Sequence, residues 1–384
     1  MIVEVSNRDS KHLFHQLPFD LYAKDNNYIA PLQHEVEGVF DVAVNKVLLE
    51  GSAKRFVLLN DRGLPIGRIA AFVDHKRNKA LNYHLGGIGF FECIDDSQAA
   101  TSLFESAFNY LKEFDVDVVE GPVNFGERDR FWGLLVDGFY PPLYQENYNP
   151  IYYQRLFEEN GFLPFEQIIT FKGISNKIPF DRMKAIAQRI RERYPITIKT
   201  LNYQQLDQFA EDFVTVYNAS FSKFDHFKPL LTHQIKAFLE QAKPVIDKEL
   251  ACIVYFEEQP AGFIALYPDI NPFLKFTKGK LNFWTAPLFI LKKKMASKFA
   301  AKGMGFGIHP TYQSKGIFAL LLDHLSTPRN IQLYPEMYLA GIRAHNKEII
   351  SMYSKMEVEK NRIHLTYRKH LNTAIPFEPF EFIY

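Results

Sequence analysis

The apolar positions fall into a short series of patterns that runs through the chain once and then repeats. Residues 55 to 73, RFVLLNDRGLPIGRIAAFV, give an apolar run, a polar turn, a Pro65-x-Gly67 and a second apolar run. Residues 250 to 267, LACIVYFEEQPAGFIALY, repeat this around Pro260-x-Gly262. Turn residues break each run, and β-branched and aromatic residues rebuild it, which predicts a hairpin in each place. A strand leading into a helix comes next. Behind residues 87 to 93, Leu103, Phe104, Ala107, Phe108 and Leu111 fall at helical spacing, with Asp96 or Ser97 as N-cap. Behind residues 304 to 309, Ile317, Leu320, Leu321 and Leu325 fall on one helical face, and that helix is predicted to begin around Ser314. The third pair is a short helix, in NPIYYQRLFEENGF and in HNKEIISMYSKMEV. Each leads to a further strand, FEQIITFKG and RIHLTYRK.

Strand pair, strand, helix, strand, helix, strand: this order occurring twice predicts an α/β (α+β) architecture with a mixed sheet in each half. A length of 384 residues suits two domains. The boundary is expected in KGISNKIPFD, giving domains at 1–175 and 176–384. The helix MKAIAQRIRERY that opens the second half is read as a solvated basic face.

Composition narrows the function classes. With 47% hydrophobic and 23% charged residues, the chain carries material for two cores and is not of disordered type. A net charge of +1 leaves no overall footprint for nucleic acid, so no nucleic-acid partner is expected. Cys93 and Cys252 lie in apolar runs and read as buried thiols, and two cysteines exclude a disulfide scaffold or a four-cysteine metal site. DHFKPLLTH carries His226 and His233 without a clear third ligand, so no metal is expected. The N-terminus lacks the apolar core of a signal peptide, and no apolar run reaches the ~18–20 residues of a membrane span. A cytoplasmic location is therefore expected.

The chemistry concentrates in Ile308-His309-Pro310-Thr311-Tyr312-Gln313-Ser314-Lys315-Gly316-Ile317-Phe318. A strand ends, a turn with Pro follows, and a helix begins. A helix N-terminus carries unpaired N–H groups and partial positive charge, and a glycine there lets a diphosphate approach the backbone. The segment resembles motif A of the GNAT acetyltransferase superfamily, a strand followed by Q/R-x-x-G-x-G/A. Gln313, Ser314, Lys315 and Gly316 match it. The last position departs from it, with Phe318 where Gly or Ala is usual; its ring either narrows the phosphate pocket or points into the core. The resemblance implies that the Gln313–Phe318 turn holds the pyrophosphate of acetyl-CoA or another acyl-CoA, with Phe306 and Ile308 pairing to the pantetheine arm and Ile317 opening the helix. Asn346-x-x-Ile349-x-x-Met352-Tyr353 resembles motif B, which implies that Tyr353 protonates the departing thiolate. Met356-Glu357 stands where that motif has Gly-Phe.

Aligned with the second half, the first has Ser97, Ala100 and Phe157 opposite Gln313, Gly316 and Tyr353. The first half is therefore expected to keep the scaffold without binding CoA in the usual way. Its long segment 121 to 150, rich in Gly, Pro and aromatics, is a candidate substrate wall, with Asn124, Trp132, Tyr144 and nearby Tyr152. Residues 268 to 302 interrupt the second repeat and include Lys292, Lys293 and Lys294, read as a solvated helix end. His309 is a possible base. The expected function is N-acyl transfer, acetyl first, to a small-molecule or peptide amine. The alternatives are an aminoacyl or fatty-acyl transferase, or a non-catalytic binding protein on the same scaffold. The sequence leaves the oligomeric state open.

Overall fold

The computed structural model describes residues 1–128, 130–223 and 227–383. Seven strands precede the midpoint: β1 (Ile2–Glu4), β2 (Gly51–Leu59), β3 (Pro65–Asp74), β4 (Leu85–Cys93), β5 (Val118–Gly121), β6 (Leu134–Asp137) and β7 (Leu163–Ile174). Six follow: β8 (Ile196–Thr200), β9 (Ala251–Phe256), β10 (Gln259–Pro268), β11 (Ala300–Ile308), β12 (Glu336–Arg343) and β13 (Val358–His370). They form one sheet in the order β1-β2-β3-β4-β5-β13-β7-β12-β11-β10-β9-β8, with β6 against β13.

The centre of that order shows how the halves join. β7, which ends the first repeat, pairs with β12 of the second half. β13, which ends the second repeat, pairs with β5 and β6 of the first. β7 and β13 also pair with each other along their length. Each half-sheet is thus completed by a strand from the other half.

The helices bury the faces that their spacing predicts. Asp96 caps the helix Ser97–Lys112 by accepting from Ala99 N at 2.8 Å. That helix and Tyr153–Glu159 pack Phe104, Phe157 and Phe162 against Tyr367 of β13. In the second half the helices Phe180–Arg193, Ile317–Leu325 and Lys347–Tyr353 share one core with Phe171, Val254 and Met337. Leu206–Phe221 packs Phe209 and Val216 with Ile253, Tyr255 and Phe263 of the sheet's other face. Cys93 and Cys252 are buried free thiols.

A buried polar stripe crosses the middle of the sheet. Alternate residues point to one face of a strand, and on β7 and β13 that face carries Glu166, Thr170, Arg362, His364 and Thr366, all buried. The 121–150 segment lies down over it. Glu146 pairs with Arg362 and accepts from Thr170 Oγ1 at 3.2 Å. Trp132 Nε1 donates to Thr366 Oγ1 at 3.0 Å, and His364 Nε2 lies 3.0 Å from Asn147 O. Glu166 pairs with Arg128 through one carboxylate oxygen, and buried polar groups of this kind are tolerated where they find such partners.

Candidate functional site

β11 and β12 run parallel only from Ala300–Gly303 against Glu336–Leu339, and then part. On its other side β11 stays paired with β10 as far as Gly262↔Ile308. There Leu266 faces Gly303 and Ala265 faces Gly305, so Met304 is an extra residue that bends β11 away. β12 has its own irregularity between Leu339 and Ile342. Gly305 (φ +152°) and Gly341 (φ +74°) sit on the two lips of the gap, and a Cβ at either would meet nothing within 4 Å. The wedge between the strands is open, with bare backbone on both sides.

The turn beyond β11 departs from the sequence expectation. Pro310–Lys315 forms a 3-10 turn, Gly316 adopts φ +74°, and the α-helix starts at Ile317, three residues later than Ser314. The left-handed Gly316 resets the chain direction between the two helical pieces. A side chain there is excluded twice, by φ and by Ile190, whose Cδ1 would lie 2.5 Å from a Cβ. No side chain caps the helix that follows; Ala319 N donates to Gly316 O at 3.0 Å, and the N–H groups of Ile317 and Phe318 lie at its positive dipole end. Gln313, Ser314 and Lys315 are exposed beside them.

Phe318 is half-buried, packs against the core and stacks near Phe306 with ring centroids 5.1 Å apart. Ile308 is half-buried and Ile317 fully buried in the same core. Tyr353 shares that core, edge-on to Phe171 at 5.5 Å. Burial pushes its phenol well above the usual tyrosine range. Its hydroxyl has no hydrogen-bond partner among the described residues. Asn346 caps the helix Lys347–Tyr353, accepting from Ile349 N at 3.2 Å, so its amide oxygen is already engaged. His309 sits half-buried at the strand end with Nδ1 accepting from Thr311 N at 3.3 Å.

The first half repeats the parting and then closes it. β4 and β5 pair only from Leu85–Gly87 against Val118–Glu120. Val123 then enters the gap, its N–H donating to Ile88 O at 2.7 Å. A Cβ on Gly89 would stand 1.9 Å from Val123 O. The turn after β4 carries Asp95 and Asp96, with Glu159 bonded to Ser97 at 2.6 Å. Arg155 pairs with Asp95 and Glu159 there, and Asp96 caps the helix start by accepting from Ala99 N, so that N-terminus is already occupied by a carboxylate.

Between the halves lies a cavity of about 70 Å³ whose lining includes Tyr28, Arg68, Glu92, Tyr144, Asn147 and Asn271. Glu92 accepts from Tyr22 Oη at 2.7 Å, Tyr153 Oη at 2.8 Å and Arg68 Nη2 at 3.3 Å. Burial raises its carboxyl above the ordinary value, against the opposing pull of Arg68. Among the described residues, Arg68 Nε and Glu35 Oε2 are buried without a hydrogen-bond partner. Of the four predicted substrate residues, Tyr144 lines this cavity, and its hydroxyl donates to Glu35. The others lie elsewhere: Trp132 on Thr366, Tyr152 with its hydroxyl on Cys93 O at 2.7 Å, and Asn124 buried with Oδ1 unpartnered. Sequence reasoning missed Glu92 and Arg68. Their signal was a single charge inside each of two apolar strand runs. His226 lies outside the described residues. Among those described, no group of three His, Cys, Asp or Glu is placed to hold a metal ion, and no helix is long and apolar enough to cross a membrane.

Two half-sheets that each part after a parallel pair, with a bulged strand running into a turn and helix, define a tandem GNAT fold. Solved structures agree. A glucosamine N-acetyltransferase region of a fungal multi-domain β-N-acetylglucosaminidase superposes with TM-score 0.56 at 11% identity, over 96% of this chain and 38% of that one. A tandem GNAT protein from the clavulanic acid biosynthesis pathway superposes with TM-score 0.53 at 9% identity, over 96% of this chain and 98% of the other. No family model matches the chain. Among curated proteins it is 26% identical over 287 residues to the bacterial ceramide synthase of Caulobacter vibrioides, 73% of each chain. It is 21% identical over 374 residues to protein YghO of Escherichia coli, 95% of this chain and 94% of that protein.

Proposed function

We propose that this chain is an N-acyltransferase that takes its acyl group from an acyl-CoA held in the second half and passes it to an amine. The observation that carries the reading is the contrast between the two wedges: the second is open, with bare glycine lips, and the first is filled by Val123. The domain assignment follows from it, with residues 176–384 supplying the donor site and residues 1–175 a scaffold that walls the acceptor side.

In this reading the diphosphate rests on the Gln313–Phe318 turn, where the uncapped helix start and Lys315 supply positive charge. The pantetheine arm lies along β11 from Phe306 to Ile308, where β12 has moved away. The amine nitrogen attacks the thioester carbonyl carbon, the carbon–sulfur bond breaks, and the thiolate leaves with the proton of the Tyr353 hydroxyl. The surplus proton of the amine passes through water to the Tyr353 phenolate and restores the phenol. In this reading backbone N–H groups at the Met304 bulge stabilise the developing oxyanion. Much of the acceleration comes from holding amine and thioester together.

Acetyl is the donor that the motif resemblance suggests. The relative named as a bacterial ceramide synthase favours a second form of the reading, with a long acyl chain and a lipid amine. Titration calorimetry with acetyl-CoA and palmitoyl-CoA, beside Gly316→Trp, tests both. Binding that the variant abolishes while its thermal melt stays cooperative supports the wedge as donor site, and the tighter ligand identifies the acyl class. No binding of either at millimolar concentration overturns the reading and leaves a binding protein on this scaffold.

A further inference from the structure

Residues 270 to 322 contain nine lysines and no aspartate or glutamate, in a chain whose net charge is +1. The middle of this tract is a lobe inserted between β10 and β11, built on the helix Thr285–Met295. One side of that helix is anchored: Phe289 is buried with Leu32, Ile270 and Leu274. Lys293 on the same side donates to Pro244 O at 2.6 Å.

The opposite side is unusual. At 100° per residue, Trp284, Leu288, Leu291 and Met295 fall in one narrow stripe. A solvent-facing stripe is normally polar, yet Trp284 is 81% exposed, Met295 76% and Phe283, next to Trp284, 80%. Lys292 and Lys294 fall about 80° to either side of the stripe, and both are exposed, as are Lys278 and Lys280 before the helix. The pattern is an apolar ridge tipped by two aromatics and bordered by flexible cations.

We propose that this lobe is a peripheral anchor that lies on an anionic lipid surface. Aromatic and leucine side chains enter the headgroup–acyl boundary, and flanking lysines reach to lipid phosphates. A second copy of the chain fits poorly. A two-fold contact sets each patch against itself, which would bring the lysines of both copies together with no acidic residue anywhere in the tract. The inner side of the same lobe supplies Asn271 and Leu274 to the cavity between the halves. A docked lobe therefore places that cavity beside the membrane.

The test is co-sedimentation with vesicles of phosphatidylcholine alone and of phosphatidylcholine with phosphatidylglycerol. The native chain is compared with Phe283→Ser/Trp284→Ser and with Lys292→Gln/Lys294→Gln. All four residues are exposed, and thermal melts confirm that the variants fold. Expected is binding to the anionic vesicles, about 10-fold weaker to the neutral ones, and lost by about 10-fold or more in either variant. Absence of binding to anionic vesicles, or equal binding by the aromatic variant, overturns the proposal. So does a concentration-dependent dimer in sedimentation velocity that disappears in the aromatic variant, which would identify a second copy as the occupant.

Discussion

Tyr353 is a phenol that keeps its proton. It is 4% exposed, its ring is fixed against Phe171, and burial raises its pKa. If it is the acid for the leaving thiolate, Tyr353→Phe lowers kcat about 100-fold and leaves donor affinity by calorimetry unchanged. A merely structural tyrosine would lower the melting temperature and leave kcat alone. Asp269 offers a separate test at the base of the inserted lobe. Burial pushes its carboxyl up to about 6, despite bonds from the N–H groups of Tyr144 and Asn271. A raised folded-state value means that its stabilising contribution is complete below pH ~4 and lost as pH rises through about 6. Asn keeps an oxygen for both N–H groups without that loss. Asp269→Asn is therefore expected to gain on the native chain by on the order of 3 kcal/mol between pH 4 and 8, by denaturant unfolding. Parallel profiles would show that Asp269 is not destabilised by its charge. At this scale the sequence was readable where one residue type has one use, as with Gly316. It marked Glu92 and Arg68 only as lone charges in apolar runs, because only the fold brings the two together and shuts out water.

Elements show why the surroundings of the second-half wedge were partly legible. Both hairpins, both strand-to-helix passages and both short helices stand where apolar spacing put them. The second-half helix start was misjudged because Pro310–Lys315 is polar and helical in composition. The distinction between a 3-10 turn and the first α-turn rests on the φ of Gly316. The motifs marked the first half as lacking the loop glycine and the tyrosine, but the filling of its wedge could not be read from them. It depends on Val123 folding back on Ile88, a contact set by how the 121–150 segment leaves β5. One consequence is a stoichiometry. Calorimetry should give one acyl-CoA per chain, and exchanging the acidic turn for basic residues with Asp95→Lys/Asp96→Lys should not create a second site. A stoichiometry of two would show that the first wedge opens.

At the level of the whole molecule, the exchange of β7 and β13 ties the halves into one folding unit. Cut between residues 175 and 176, the first fragment would leave β5 without β13, and the second would leave β12 without β7. Each would expose a long unpaired edge. Expressed alone, neither fragment is expected to melt cooperatively, whereas co-expression should restore a single transition in calorimetry. A cooperative melt of residues 1–175 alone would show the exchange to be dispensable. Sequence patterns gave the strands that take part but not their partners, because pairing between residues about 250 apart leaves no local trace.

The exchange also sets a schedule for a chain emerging from the ribosome. Glu120 on β5 is buried by Arg368 of β13, at 2.8 Å. Synthesis at ~5–20 residues per second takes on the order of tens of seconds to span that interval. Throughout it the earliest-made sheet has a raw edge, and Glu120 lacks the Arg368 partner that pairs with it in the finished fold. A nascent chain of this protein is a natural client for a holding chaperone until its last strand arrives.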